Sequence, residues 1–379
     1  MPIYLDHNAT APLRPQVLES MLPWLRGRWG NASSAHGPGR EAKKAVELAR
    51  AQVAGLLHCR PEEILFTGGG TEANNLALRG ACLARRGQGD HIIVSAVEHH
   101  SVLRCAEDLA GQGFQLSRLP VDRDGLVRPE SLGSALTGRT ILASIMHANN
   151  EIGTIQPIPR LAEALRKRSI LFHVDAVQSA GKVPVDVRRL GADLLSLSAH
   201  KMHGPQGVGA LFVRQGVSLR PVLQGGSQES GLRPGTYNVA GIVGLGAAAL
   251  LAGRGLAVEA AYLEAQRGRL EQGLRELEPR AVFLGAAAPR LPNTSAVCFP
   301  GRDNQALVAN LDMRGIAVST GAACGSSDRE PSHVLKALGL DPALARSVIR
   351  FSLGGSTSVE EIAETLAALK AVLGEVPRR

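Results

Sequence analysis

Residues 169–214 read SILFHVDAVQSAGKVPVDVRRLGADLLSLSAHKMHGPQGVGALFVR. SILFHVDA, ADLLSLSA and VGALFVR are apolar runs of strand length separated by turn residues, and the first two carry a polar side chain, Asp175 and Ser198, next to their last residue. Working back towards residue 60, EEILFTGGG reads as a strand entering a glycine turn, and TEANNLALRGACLARR as the helix that follows. Strand HIIVSAV, helix SVLRCAEDLAGQG, a turn at Asp122 to Gly125, strand TILASIMHA and helix IPRLAEALRKR fill the interval. This alternation predicts an α/β fold with a large, mostly parallel sheet covered by helices. Ligands of such sheets sit beyond the carboxyl ends of the strands. Working forward, Gly226 to Gly235 is a glycine-rich loop, and Ile242 to Leu277 reads as a long helix. PRLPNTSAVCFP and GIAVSTGAACGS then belong to a second region of strands and helices. The expected division is a large α/β domain over residues 15–255 and a smaller α+β domain built from 1–14 with 256–379.

The bulk numbers suit an ordinary globular enzyme: 379 residues, 44% hydrophobic, 20% charged and 3% aromatic, so Ala, Leu and Val must build the core. The formal charge of +8 is spread over scattered arginines without interleaved aromatics. That pattern argues for a generic basic surface and against a nucleic-acid partner. MPIYLDHNATAP lacks the features of a secretory signal. Gly241 to Gly253, the longest apolar stretch, is too short and too rich in Gly and Ala to span a bilayer, so no membrane is expected. Five spread cysteines without a CxxC pair argue against a disulfide framework and against a zinc site, and fit a reducing cytoplasm.

Lysine is scarce, with seven in the chain. Five lie in amphipathic helical patterns and Lys182 follows a glycine in a turn. Lys201 differs, because it closes the apolar run DLLSLSAHK. A lysine held at the end of a buried strand loses its proton through desolvation and attacks carbonyls. Asp175 ends another strand, 26 residues earlier. Alone it would read as a helix cap. Beside Lys201 it suits pyridoxal phosphate, whose pyridine nitrogen a carboxylate keeps protonated. In TGGGTEANN, Gly68 to Gly70 permit close backbone approach, and Thr71 opens a helix whose free N–H groups favour a phosphate. The stretch is neither a Walker A loop nor GxGxxG.

With these residues in hand, the chain resembles the cysteine desulfurases of the class V, fold-type I pyridoxal-phosphate enzymes. The resemblance runs from YLDHNATAP to SVIRFSLGGSTS through WGNASSAHGPGREA, FTGGGTEANNLAL, SAVEHHSVL, SIMHANNEIGTIQP, HVDAVQSAGKVPVDV, LSLSAHKMHGPQGVGAL, GLRPGTYNV and STGAACGSSDREPSHVLKALG. It implies that Lys201 carries the cofactor covalently, Asp175 pairs with the ring nitrogen and His99 stacks on the ring. Gln178 and Asn150 would reach the phenolic oxygen or the substrate. Gly70, Thr71, Ser198 and His200 would hold the phosphate, with Thr236 reaching it from the other subunit of a homodimer. Asn31 and Arg350 would grip the substrate carboxylate, while His100 and His203 match no role. The resemblance makes Cys324, among small residues, the thiol that takes sulfur from L-cysteine as a persulfide. No resident metal is implied, although Cys324 would serve as an iron–sulfur ligand during transfer to an acceptor such as a cluster scaffold protein. The run Gly325 to Pro331 looks like the longer loop of the subgroup serving general and nitrogenase cluster assembly. His7, Ala32, Ala199 and Ser230 depart from the usual pattern, and the short tail after LAALKAVLGEVPRR leaves the scaffold partner open.

Two rivals stand beside this reading. Another enzyme of the fold, such as an aminotransferase, kynureninase or selenocysteine lyase, is set apart by Cys324. A binding or regulatory protein without catalysis would not need Lys201, Asp175 and Cys324 together.

Overall fold

The computed structural model describes residues 2–321 and 331–376; Cys324 lies outside the described residues. Twelve strands follow in chain order: β1 (Ile3–Tyr4), β2 (Ile64–Thr67), β3 (His91–Ser95), β4 (Gln115–Leu119), β5 (Thr140–Ser144), β6 (Leu171–Asp175), β7 (Leu194–Ser198), β8 (Gly209–Val213), β9 (Val282–Leu284), β10 (Thr294–Cys298), β11 (Ile316–Ala317) and β12 (Val348–Ser352). Seven of them form one sheet in the order β2-β8-β7-β6-β5-β3-β4. Only β8 runs against the rest. The mostly parallel sheet of the expectation is therefore present. β3, β5, β6 and β7 are buried along their whole length, which is why they read as near-continuous apolar runs. β4 was missed from sequence because QLSRL is a polar, largely exposed edge strand.

Helices α1 (Pro15–Arg26), α2 (Gly37–Leu57), α3 (Gly70–Arg85), α4 (His100–Gly111), α5 (Pro129–Ala135), α6 (Ile158–Arg166), α7 (Val187–Leu190) and α8 (Val239–Leu277) cover the sheet or join it to the rest. On one face, Val46 and Val53 of α2, Leu161 and Leu165 of α6, and Leu245 of α8 share a core with Phe172 and Leu195. On the other, Leu76 of α3 and Val102 and Leu109 of α4 pack on Ile92 and Leu142. The burial of Ile158, Leu161, Ala162 and Leu165 in α6 follows the spacing of a one-sided helix.

α8 has 39 residues and so runs about 58 Å. Part of it is apolar enough, by length and composition, to cross a bilayer. Gly246 instead sits against α2, where an added Cβ would lie 2.6 Å from Ala49 Cα. Farther along, Leu263, Leu270 and Leu274 enter a separate core under the three-stranded sheet β12-β10-β9. The N-terminal arm joins that region, because β1 pairs in parallel with β11 and Asp6 bridges to Ser352.

Candidate active site

The carboxyl ends of the parallel strands supply most of the site. β6 ends on Asp175, which is 5% exposed. Its Oδ2 accepts 2.8 Å from Asn74 Nδ2 and its Oδ1 accepts 2.9 Å from Val177 N, so the carboxylate is fixed from two sides. β7 ends on Ser198, and the single 3-10 turn Ala199–Met202 that follows carries His200 and Lys201. Lys201 Nζ donates to the carbonyls of Asn8 and Ala9, at 2.6 Å each. His200 Nδ1 lies 3.1 Å from Thr10 Oγ1. The arm therefore runs alongside the lysine turn and presents its backbone to it.

Beyond β3, His99 caps α4, its Nδ1 accepting from Ser101 N at 3.1 Å. Beyond β5, Asn149 Oδ1 accepts from Glu151 N and Ile152 N, a turn that directs Asn150 to the same opening. Arg350 comes from β12 of the smaller sheet and is 1% exposed. Its Nη2 donates 2.6 Å to Asp6 Oδ1, and its Nη1 donates to the carbonyls of Asn150 and Gly321.

These groups line one cavity of about 340 Å³, together with Gly70, Thr71 and Gln178. A second hollow shares Gly70, Thr71, Ser198 and His200 with it and continues to the start of α3. There Gly69 has φ +150°, a conformation open to glycine, and a Cβ on Gly70 would come 2.7 Å from Val177 Cγ2. The first N–H groups of α3 have no carbonyl partner within the helix.

Burial keeps the imidazoles neutral. It lowers His99 despite the opposing pull of Asp175, and it brings His200 down to about 4 with help from Lys201. Glu98, behind His99, is pushed up to about 8 by burial, against hydrogen bonds from Ser95 Oγ and Met146 N.

The donor set fits pyridoxal phosphate. An elongated cavity has a fixed buried acid facing one wall, a lysine beside it and an imidazole on its lining. At one end lies a glycine-lined helix start with a hydroxyl and an imidazole, suited to a phosphate. Lys201, Asp175, His99, Asn150, Gln178, Gly70, Thr71, Ser198, His200 and Arg350 come together here. Thr236 is exposed on the loop before α8 and does not line this cavity. Asn31, expected to pair with Arg350, lies apart from it. It is exposed, its Oδ1 closes a local turn on Ser33 N, and it does not line the cavity. Sequence reading also passed over Asn8, Asn74, His100, Glu151 and His333, all of which line it. The signal available for Asn74 and Asn8 was a short amide inside an apolar or turn context, which carries no chemistry until its partners are known.

Fold and site together define a fold-type I pyridoxal-phosphate enzyme. The Aminotransferase class-V family model matches residues 3–364. The chain is 47% identical over 374 residues to the cysteine desulfurase IscS of Dictyoglomus turgidum, covering 98% of this chain and 94% of that one. It is 46% identical over 376 residues to a cysteine desulfurase of Cereibacter sphaeroides, covering 99% and 96%. A solved NifS-like protein superposes with a TM-score of 0.92 at 39% identity, covering 99% and 100% of the two chains. The structure of SspA in complex with cysteine superposes at 0.83 with 36% identity, covering 94% and 100%. The chain belongs to the class-V aminotransferase family, and within it to the cysteine desulfurases.

Proposed function

We propose that this desulfurase uses Lys201 as the cofactor-bearing lysine and base, Arg350 as the anchor of the substrate carboxylate, and Cys324 as the acceptor of sulfur. The activity is conversion of L-cysteine to L-alanine with transfer of sulfur to an enzyme persulfide, which supplies iron–sulfur cluster assembly or other acceptors. The observation that carries the residue assignment is the meeting of Lys201, Asp175 and Arg350 on one cavity.

Pyridoxal phosphate supplies an electron sink that makes the substrate's α-proton acidic. The chain's own groups do the rest. Asp175, held by Asn74 and the Val177 amide, is placed to keep a ring nitrogen protonated. Arg350 presents a guanidinium whose Nε has no hydrogen-bond partner among the described residues and whose charge suits a carboxylate. Lys201 moves the α-proton as a free amine. Cys324, as the thiolate, attacks the substrate sulfur; the carbon–sulfur bond breaks, its electron pair stays with the carbon that becomes alanine, and sulfur remains on Cys324.

A homodimer, in which Thr236 reaches the partner's phosphate, belongs to the same proposal, as does the division into residues 15–255 and 1–14 with 256–379. A cytoplasmic setting accords with the described cysteines, Cys59, Cys82, Cys105 and Cys298, all being free thiols.

The test has two parts. Borohydride reduction of the yellow enzyme should abolish its near-visible band and leave the adduct on the peptide containing Lys201; an adduct elsewhere rejects that residue. Cys324→Ser should still bind cysteine and perturb the band while releasing almost no alanine or sulfide. Wild-type alanine production by Cys324→Ser would instead favour an aminotransferase-type or lyase-type reaction.

A further inference from the structure

A second lysine stands in the same network. Lys182 Nζ donates 2.9 Å to Gln178 Oε1 and lies 3.4 Å from Asn8 Oδ1. Gln178 Nε2 donates 2.9 Å to Asn8 O, the same carbonyl that accepts from Lys201 Nζ at 2.6 Å. Both ammonium groups are thus tied to one residue, and Lys182 sets which way the Gln178 amide faces. Among the described residues no carboxylate lies within ion-pair range of Lys182. The groups that face it are the cations Lys201 and Arg350, the imidazoles of His7, His200 and His203, and one acid, Glu259, whose carboxylate is already engaged by Arg14.

We infer that Lys182 is a positioning residue for the reaction: the two lysines hold one proton in preference to two, and Lys182 retains it, so that Lys201 is released as the free base. The inference rests on Lys201 being the cofactor lysine.

Three arguments support it. Two like charges sharing one small polar network repel each other, and Asp175, the buried acid on the Lys201 side of the cavity, is already engaged by Asn74 and the Val177 amide. Burial, then the charges of Lys201 and Arg350, bring Lys182 down to about 7. A Lys201 nitrogen bonded to the cofactor would be a weaker base than a free amine, so the shared proton would reside on Lys182. Once released, the Lys201 amine would stand beside a charge that opposes uptake of a proton from solvent. Its lone pair is then available for the substrate's α-proton. Only a proton changes place, and no further reactant is needed.

The experiment uses holoenzyme of the wild type and of Lys182→Gln, Lys182→Met and Lys182→Arg. Borohydride trapping with peptide mapping comes first. An adduct on Lys182 rejects the cofactor assignment itself, whereas an adduct on Lys201 in every protein leaves the inference to be judged alone. The near-visible band is then titrated with pH. In the Gln and Met variants its midpoint should move upward by on the order of one pH unit, because the opposing charge is gone. Lys182→Arg, which stays charged throughout, should hold the midpoint at or below that of the wild type. An unmoved midpoint in the Gln and Met variants overturns the inference. Equal shifts in both assign the effect to charge, since only glutamine can still hydrogen-bond Gln178. Should those two variants fail to accumulate, Lys182→Arg decides, and a midpoint above the wild type's overturns it.

Discussion

Glu98 has no exposed surface, and its carboxyl accepts from Ser95 Oγ and Met146 N, both at Oε1. Oε2 has no partner. With its folded value near 8 and its ordinary value at 4.5, the native protein holds a proton there that the unfolded chain has released. The stability linked to Glu98 is therefore complete below about pH 4.5 and is lost as pH rises through about 8, by on the order of a few kcal/mol. Glu98→Gln keeps the acceptor at Oε1 and cannot ionise. The expected result is a melting temperature close to wild type at pH 5 and above it at pH 8.5, measured by calorimetry; parallel curves would contradict it. Such residues explain what was legible in advance. Lys201 and Asp175 stood out because each ends an apolar run, so local sequence exposes them. Asn8 and Lys182 acquire meaning only through partners such as Thr294, 286 residues from Asn8. Asn31 entered through the resemblance alone, since nothing in its local sequence marks it.

Among the elements, α8 carries two glycines with opposite expectations. A Cβ at Gly246 would meet Gln52 Oε1 and the Cα and Cβ of Ala49 at 2.5–2.7 Å, whereas at Gly268 nothing lies within 4 Å. Alanine is favoured over glycine in a helix by about 1 kcal/mol, but overpacking costs about 1–3 kcal/mol. Gly246→Ala should therefore destabilise, and Gly268→Ala should stabilise by about 0.5–1 kcal/mol, in denaturant unfolding. The loop before α8 is tied to α2 and β2 by Glu229, whose carboxylate accepts from both terminal nitrogens of Arg50 and from Phe66 N. Glu229 and Ser230 hold φ of +48° and +56°, so the loop needs that anchor. Arg50→Met leaves a buried carboxylate uncompensated and should cost about 3–5 kcal/mol; Arg50→Met with Glu229→Gln should recover part of it. A cost under about 1 kcal/mol would show the pair to be dispensable. The strands buried on both faces and the helices between them were readable because their periodicity is local. The edge strand β4 and the start of α8 at Val239 were not, since the first is polar and the second begins in a glycine-rich run.

For the whole molecule, Asn8 bridges the seven-stranded and the three-stranded sheet. Its side chain donates to Asn150 O and Thr294 Oγ1 and accepts from Asn293 Nδ2, while its backbone N donates to Ser352 Oγ. Asn8→Ala removes the side-chain links and leaves buried partners unmatched, at about 1–3 kcal/mol each. The expected outcome is a lower melting temperature with the smaller sheet unfolding ahead of the larger; a single wild-type transition would show that apolar contacts suffice. The arm's placement also orders events on the ribosome. Residues 3–9 leave the exit tunnel first, yet Ile3 and Tyr4 pair with Ile316 and Ala317, and Asp6 meets Arg350, 344 positions later. A nascent chain ending near residue 250 already holds the seven-stranded sheet, the glycine cradle and Lys201, but the strand that locks the arm over that lysine has not been made. Closing so long a loop is slow. The expected consequence is that holoenzyme forms only after translation: a ribosome-stalled chain cut at residue 300 should not retain cofactor after gel filtration.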